Sequence, residues 1–406
     1  MRRVVITGYG LISALGNDVP TAFARLHKLE NAVERSEELQ GYQGMQTALW
    51  APAHFDLPAR YNRRVIRTMG RESILSLNAA EQALAQAGLL DDPLLKSGRA
   101  GIAFGSCSGN CDALMDFYSV LADHVVRNVT SATYIKMMPQ TIAVNLSVHF
   151  GTTGRILPTN TACTSGSLSI GLAYEAIRAG QQDVMIAGGA ESFNPTQVIV
   201  FDTLFATSRR NDAPKTTPRA FDRNRDGLVI GEGAGALILE ERDHALARGA
   251  TILAEVVGFG TNTDGRHVTQ PNAETMAAAM RLALADAHRH PEEVGYISAH
   301  GTATDRGDVA EGTATSAVYG KGTPISTLKS YIGHALGACG AVEAILAIES
   351  MHAGWFPPNL NLTDPDPECG ELDLIMGEGR AIQTGLVASH NFAFGGVNTA
   401  LLFAQP

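Results

Sequence analysis

Apolar positions along the chain switch repeatedly between continuous runs and helical spacing. "RVVITGYG" (3–10) is an unbroken apolar run closed by glycine, the pattern of a strand buried on both faces. "ESILSLNAAEQALAQAGL" (72–89) is amphipathic and stops at a glycine, which predicts a helix. "AGIAFGS" (100–106), "DVMIAGGAES" (183–192) and "GALILEE" (235–241) predict further strands, and "SLSIGLAYEAIRAG" (167–180) a helix ending at Gly180. Beyond residue 250 the alternation resumes. It gives a strand in "ILAEVVGFGTNTD", a helix over 272–288, strands in "VGYISAH" and "PISTLKS", a helix over 335–352 and closing strands near 385–404. Such alternation predicts an α/β fold. "VVITGYGLIS" and "AEVVGFGTNT" echo each other as a strand carrying Gly-aromatic-Gly. The echo points to two similar α/β halves, 1–250 and 251–406.

Composition narrows the class. At 406 residues the chain can bury a large core, and its net charge of −10 excludes a general nucleic-acid binder. No apolar run of membrane-spanning length is evident, and "MRRVVITGYGLIS" has the wrong pattern for a signal peptide, so a cytoplasmic protein is expected. Five cysteines, an odd number, argue against a disulfide framework. Cys107 and Cys111 form a C-x-x-x-C pair with no matching second pair, so no metal site is expected. "GEGAGA" (231–236) precedes a strand pattern rather than a helix, which rules out a dinucleotide loop.

Chemistry concentrates at three places. Cys163 lies in "TNTACTSGS", among small residues and just ahead of a helix, where free N–H groups and the helix dipole favour a thiolate. Its own N–H could face a developing oxyanion. His300 follows an apolar strand in "VGYISAHGTATDRGD", and His334 lies between a strand and a helix in "ISTLKSYIGHALGACGAVEA". Both occupy strand ends, where α/β sheets build their sites. A structural histidine or a core thiol is the plain alternative for each residue taken singly.

Together "TACTSG", "HGTATDRGD", "STLKSYIGHALGACGAVEA" and "NFAFGGVNT" resemble the elongating β-ketoacyl-[acyl-carrier-protein] synthases, condensing enzymes of the thiolase fold. The resemblance runs through nearly the whole chain. It implies a five-layer αβαβα arrangement and a ping-pong, decarboxylative Claisen condensation. Cys163 would take up the acyl chain, and His300 and His334 would donate N–H groups to the enolate formed from the malonyl thioester. Lys329 and Glu343 match the family's lysine and its partner acid, and Asp308 the acid of the His300 loop. Thr302 and Thr304 match the threonines that bind phosphopantetheine, which the carrier protein supplies, so no resident cofactor is implied. The Phe392 N–H would join that of Cys163 at the oxyanion. Phe392 also resembles the gating phenylalanine, with Phe394 beside it at the gate. Arg63, Arg64 and Arg67, within an arginine cluster from Arg60 to Arg71, resemble the carrier-binding segment, and Arg210 could add to it. A homodimer is implied as well.

The chain departs from the family pattern at Ala393, which replaces a glycine beside the gate, at Asp305, which replaces a proline, and at Ser108, where a bulky aliphatic residue can stand. These changes predict an altered gate and a more open or more polar acyl pocket, as would suit a synthase of aryl-polyene or other conjugated chains. Three other readings fit less well. A degradative thiolase would carry a second catalytic cysteine near the C-terminus, and an initiating synthase an asparagine in place of His334. A non-catalytic chain-length partner subunit would lack Cys163.

Overall fold

The computed structural model describes residues 1–406. Its eleven-stranded sheet comprises β1 (Val4–Ile12), β2 (Ala100–Gly105), β3 (Ile156–Pro158), β4 (Val184–Glu191), β5 (Gly233–Glu241), β6 (Ala254–Thr263), β7 (Tyr296–Ser298), β8 (Pro324–Ser326), β9 (Asp373–Leu374), β10 (Leu386–Phe392) and β11 (Val397–Ala404). The spatial order is β9-β8-β7-β10-β11-β6-β1-β5-β4-β2-β3. Read outward from its centre, the sheet is two copies of one pattern. From β1 the pairings to β5, β4, β2 and β3 run antiparallel, antiparallel, parallel, parallel. From β6 the pairings to β11, β10, β7 and β8 follow the same sequence. The copies meet where Val4, Val5 and Ile6 pair with Val256, Glu255 and Ala254.

Six helices build the remaining layers: α1 (Arg71–Gln86), α2 (Thr141–Phe150), α3 (Ser165–Arg178), α4 (Ala273–Ala287), α5 (Asp305–Tyr319) and α6 (Cys339–Ala353). α1 and α2 cover the outer face of the first half-sheet, and α4, with α5 packed beside it, covers that of the second. α3 and α6 lie between the half-sheets, which gives the expected five layers. Twelve of the fifteen residues of α6 are buried. The stretch Leu336–Ala353, with mean hydropathy 1.2, is therefore long and apolar enough to cross a membrane, contrary to the sequence expectation, but it is a core helix.

The Gly-aromatic-Gly echo has a packing cause. A Cβ on Gly8 or Gly10 would lie 2.1 or 2.4 Å from main-chain oxygens of Ala83 and Ala79 in α1. A Cβ on Gly258 or Gly260 would lie 2.4 or 2.1 Å from those of Ala283 and Ala279 in α4. The glycines let an outer helix touch the strand backbone, while the aromatic between them faces inward. Tyr9 bonds Glu349 of α6, and the Phe259 ring fills the space left by Gly171 of α3. The "GEGAGA" glycines serve packing too, since a Cβ on Gly235 would meet Val342 N of α6 at 2.8 Å.

Candidate active site

Each inner helix is preceded by one tight turn. Ala162–Thr164 leads into α3 and Leu336–Ala338 into α6. Each turn opens on a non-glycine residue with left-handed backbone, Ala162 at φ 51° and Leu336 at φ 43°. That conformation is disfavoured for residues with a Cβ and persists where the surroundings enforce it. It sets Cys163 at the start of α3, with a side chain that is buried but reachable from one pocket.

His334 arrives from β8 through the short helix Lys329–Ile332. Gly333 ends that helix at φ 66°, and a Cβ there would press on Ala51 and Val229. The His334 N–H then donates to Val229 O (2.7 Å), and its carbonyl accepts from the Gly231 N–H (2.9 Å). This places His334 Nε2 3.1 Å from Cys163 Sγ. His300 follows β7, and its ring stands 5.1 Å from that of His334, nearly perpendicular to it. The buried Lys329 ammonium lies 3.2 Å from His300 Nδ1 and 2.5 Å from Glu343 Oε1. Donation from Lys329 to Nδ1 leaves the His300 proton on Nε2.

Burial pushes both imidazoles well below their ordinary value of 6.5, and the Lys329 charge pushes the same way. Both histidines are therefore neutral at physiological pH. Burial also raises the Cys163 thiol, to about 11, although Lys329 and the N–H groups of Phe394 and Cys163 pull it down. The expected activation by the helix start is outweighed, and Cys163 rests as a thiol beside a neutral imidazole. The N–H that joins Cys163's own at Sγ belongs to Phe394, in place of the expected Phe392. Phe392 ends β10 with its ring 6.1 Å from that of His300, whereas Phe394 packs its ring 5.1 Å from Phe201.

Ligand atoms of Cys163, His300 and His334 lie within 4.8 Å of one another. With Lys329 against Nδ1, His300 turns a proton rather than a lone pair toward this trio.

The three groups sit in a pocket of about 600 Å³. Its wall includes Thr302 and Thr304, whose hydroxyls are 2.8 Å apart. Asp308 is fully buried and does not face the pocket. It accepts from Ala303 N (3.0 Å) and Phe221 N (2.7 Å), and burial raises it to about 6. Arg63, Arg64 and Arg67 are exposed and unpaired. Arg60 and Arg71 of that cluster are engaged by Glu81 and Glu232, and Arg210 by Asp226.

The departures from the family pattern also find places. Ala393 lies outside the left-handed region, which Gly395 and Gly396 occupy instead (φ 90° and 74°), so alanine imposes no strain there. Asp305 opens α5, where a carboxylate suits the positive end of the helix. The Ser108 hydroxyl donates to Glu191 Oε1 (2.7 Å) and accepts from Gln197 Nε2 (2.7 Å). Its polarity is spent inward, so position 108 is small rather than polar toward the site.

Three supporting residues escaped the sequence reading. Glu311 accepts from His300 N (2.8 Å) and Gly301 N (2.7 Å) and holds the turn under His300. Asn391 donates to Glu343 Oε2 (2.7 Å). Glu191 gathers N–H groups from Cys107 (2.7 Å), Ser108 (3.2 Å) and Gly337 (3.1 Å), joining the segments around Cys163. Glu311, three residues after Asp308 on the same helix, was the one with a readable signal.

Comparison with known proteins agrees with this geometry. The family profile "Beta-ketoacyl synthase, N-terminal domain" matches residues 1–245, and "Beta-ketoacyl synthase, C-terminal domain" matches residues 253–363. The chain belongs to the β-ketoacyl synthase family. It is 36% identical to 3-oxoacyl-[acyl-carrier-protein] synthase 2 of Vibrio harveyi, over 100% of this chain and 99% of that protein. A β-ketoacyl synthase crystal structure from Burkholderia phymatum superposes with a TM-score of 0.98 at 52% identity, with both chains fully covered. The ishigamide ketosynthase/chain length factor structure gives 0.92 at 30% identity, covering 100% of this chain and 99% of that one. The fold of this β-ketoacyl synthase is thus thiolase-like, as the motifs imply.

Proposed function

We propose that this synthase is a carbon–carbon bond-forming acyltransferase that elongates carrier-bound acyl chains by two carbons. An acyl chain passes from the phosphopantetheine thiol of an acyl carrier protein to Cys163 Sγ, and the thiol proton ends on the departing pantetheine sulfur. Malonyl-carrier protein then enters the same pocket and loses CO2. The enolate carbon attacks the acyl-Cys163 carbonyl, which releases 3-oxoacyl-carrier protein and the Cys163 thiolate, and the thiolate takes a proton from water to restore the thiol. The observation that carries this reading is the meeting, in one pocket, of Cys163 with two neutral imidazoles and the N–H groups of Cys163 and Phe394. The neutral His300, with its proton on Nε2, suits an enolate oxygen, and the two N–H groups suit the oxyanion of the thioester adduct. Thr302 and Thr304 line the route for the pantetheine arm, and Arg63, Arg64 and Arg67 offer an acidic carrier protein a basic surface. The chain served is a fatty-acid or an aryl-polyene-type intermediate.

A homodimer in the cytoplasm completes the proposal. Helix Cys111–Asp123 buries only Ala113 and exposes Met115, Tyr118 and Leu121 at 56, 62 and 72%. An apolar face of this kind is suited to cover by a second copy.

Intact-protein mass spectrometry tests the enzyme. Wild type and Cys163→Ala are incubated with saturated, polyunsaturated and aryl-conjugated acyl-carrier thioesters, and malonyl-carrier protein is then added. An adduct on wild type only, discharged as a 3-oxoacyl product two carbons longer, is the expected result. An adduct that persists in Cys163→Ala, or none with any chain, overturns the assignment.

A further inference from the structure

Arg225 is a buried cation that touches none of the reacting groups. Its side chain is 3% exposed, and each of its five N–H donors has an acceptor. Nε donates to Thr304 O (3.3 Å). Nη1 donates to Asp222 O (3.1 Å) and Asp366 Oδ2 (2.5 Å). Nη2 donates to Asp305 O (2.9 Å) and Asp305 Oδ1 (3.3 Å). The Gly227 N–H, two residues on, donates to Ala303 O (3.0 Å). Three consecutive carbonyls of the His300 loop, those of 303, 304 and 305, are therefore held by one short segment, 225–227.

The inner side of the same loop is held by two buried carboxylates, of which Asp308 also lies 4.0 Å from Arg225 Nε. Glu311 takes the N–H groups of His300 and Gly301, and Asp308 takes that of Ala303. Gly301 and Ala303 both have left-handed backbone, at φ 40° and 63°; glycine adopts it freely, whereas Ala303 would leave it if released. With the main chain tied on both sides, the hydroxyls of Thr302 and Thr304 find only each other and remain turned to the pocket.

We propose that Arg225 is a positioning residue for the carrier arm: through the carbonyls of Thr304 and Asp305 it sets where Thr302 and Thr304 present their hydroxyls to phosphopantetheine. The inference rests on the reading that these threonines receive that arm. Lysine cannot replace the arginine, because a single ammonium cannot reach five acceptors spread over three chain segments. Loss of Arg225 frees the outer side of the loop and leaves His300 held by Glu311. Recognition of the arm should therefore suffer more than the reactivity of Cys163.

The test compares wild type, Arg225→Lys, Arg225→Gln and Asp366→Asn. For each, kcat and KM are measured with an acyl-carrier thioester, together with the rate of Cys163 alkylation by iodoacetamide, a probe without a pantetheine arm. The expected result is a KM raised about tenfold or more in Arg225→Lys and Arg225→Gln, and less in Asp366→Asn, with alkylation within about twofold of wild type. In a double-mutant cycle with Thr304→Ala, the losses should be non-additive. A wild-type KM in Arg225→Lys overturns the proposal, as does an alkylation rate that falls in step with kcat/KM, since either marks a purely structural role. Should Arg225→Gln not fold, Arg225→Lys and Asp366→Asn decide on the same terms. A wild type that takes no acyl group from any carrier thioester overturns the function itself, and the inference falls with it.

Discussion

The Lys329 ammonium bridges His300 Nδ1, at 3.2 Å, and Glu343, at 2.5 Å, inside a fully buried site. It fixes the tautomer of His300 and, in the proposed reaction, supplies the positive charge that favours a developing enolate. In Lys329→Ala, decarboxylation of malonyl-carrier protein should fall by about 10²–10³-fold. Acyl transfer to Cys163 should fall less, because the sulfur keeps its two N–H donors. Leaving Glu343 without its partner should also cost about 3–5 kcal/mol of stability. Separate assays of CO2 release and acyl-enzyme formation, together with a denaturation curve, check these points.

Cys163 and His334 do not form an ion pair at rest, since the thiol is raised to about 11 and the imidazole is pushed well below 6.5. The thiolate fraction then grows with pH across the neutral range. Iodoacetamide alkylation should accelerate by about tenfold per pH unit from roughly pH 6 to 10, without a plateau. A plateau near neutrality would reveal a thiolate–imidazolium pair instead.

Burial raises the Glu311 carboxyl to about 8, against about 4.3 in an unfolded chain. The folded state thus holds this proton more tightly. The stability it contributes is full below about pH 4.3 and is lost as pH rises through 8. Asp308, raised to about 6, adds a loss of the same sign over a lower window. Glu311→Gln should show a smaller fall in Tm than wild type between pH 5 and 9. Thermal melts across that range decide.

Gly260 has no room for a methyl group, because a Cβ would lie 2.1 Å from Ala279 O and 2.5 Å from Ala283 N. Gly260→Ala should destabilise the chain by about 1–3 kcal/mol, through displacement of α4. Gly322, with nothing within 4 Å of its Cβ position, is the control, and Gly322→Ala should be neutral or slightly stabilising. Denaturant unfolding of the pair measures both.

Leu121 stands at the end of the exposed apolar helix, 72% accessible. If the homodimer proposed above forms through this helix, Leu121→Glu converts it to a monomer while leaving the fold intact, as read by light scattering and circular dichroism.

The buried strands and α1 could be read from sequence because each carries its own periodicity. The segment 107–150 could not. Helix Cys111–Asp123 turns its apolar residues outward, so no buried stripe marks its face. Cys163, His300 and His334, which the structure brings into one pocket, were legible as candidates because each stands among small residues and glycines at a strand or helix end. Glu191 and Asn391 were not, because what they hold lies far along the chain. Glu191 bonds N–H groups 84 and 146 residues away, and Asn391 a carboxylate 48 residues away. The Phe392-for-Phe394 exchange has a similar origin, since only the folded loop tells which N–H points at sulfur.

The paired turns before the two inner helices carry a last consequence. Ala162 and Leu336 open them with the same unusual backbone, and the second position holds Cys163 in one turn and Gly337 in the other. A Cβ on Gly337 would crowd Cys107 N and Glu191, so the second half could not accept a nucleophile at the matching place. The same turn thus presents a thiol in one half of the molecule and closes against main chain in the other. With Cys163 in the first half and His300 and His334 in the second, the pocket is assembled only where the two halves meet, and neither half alone contains it.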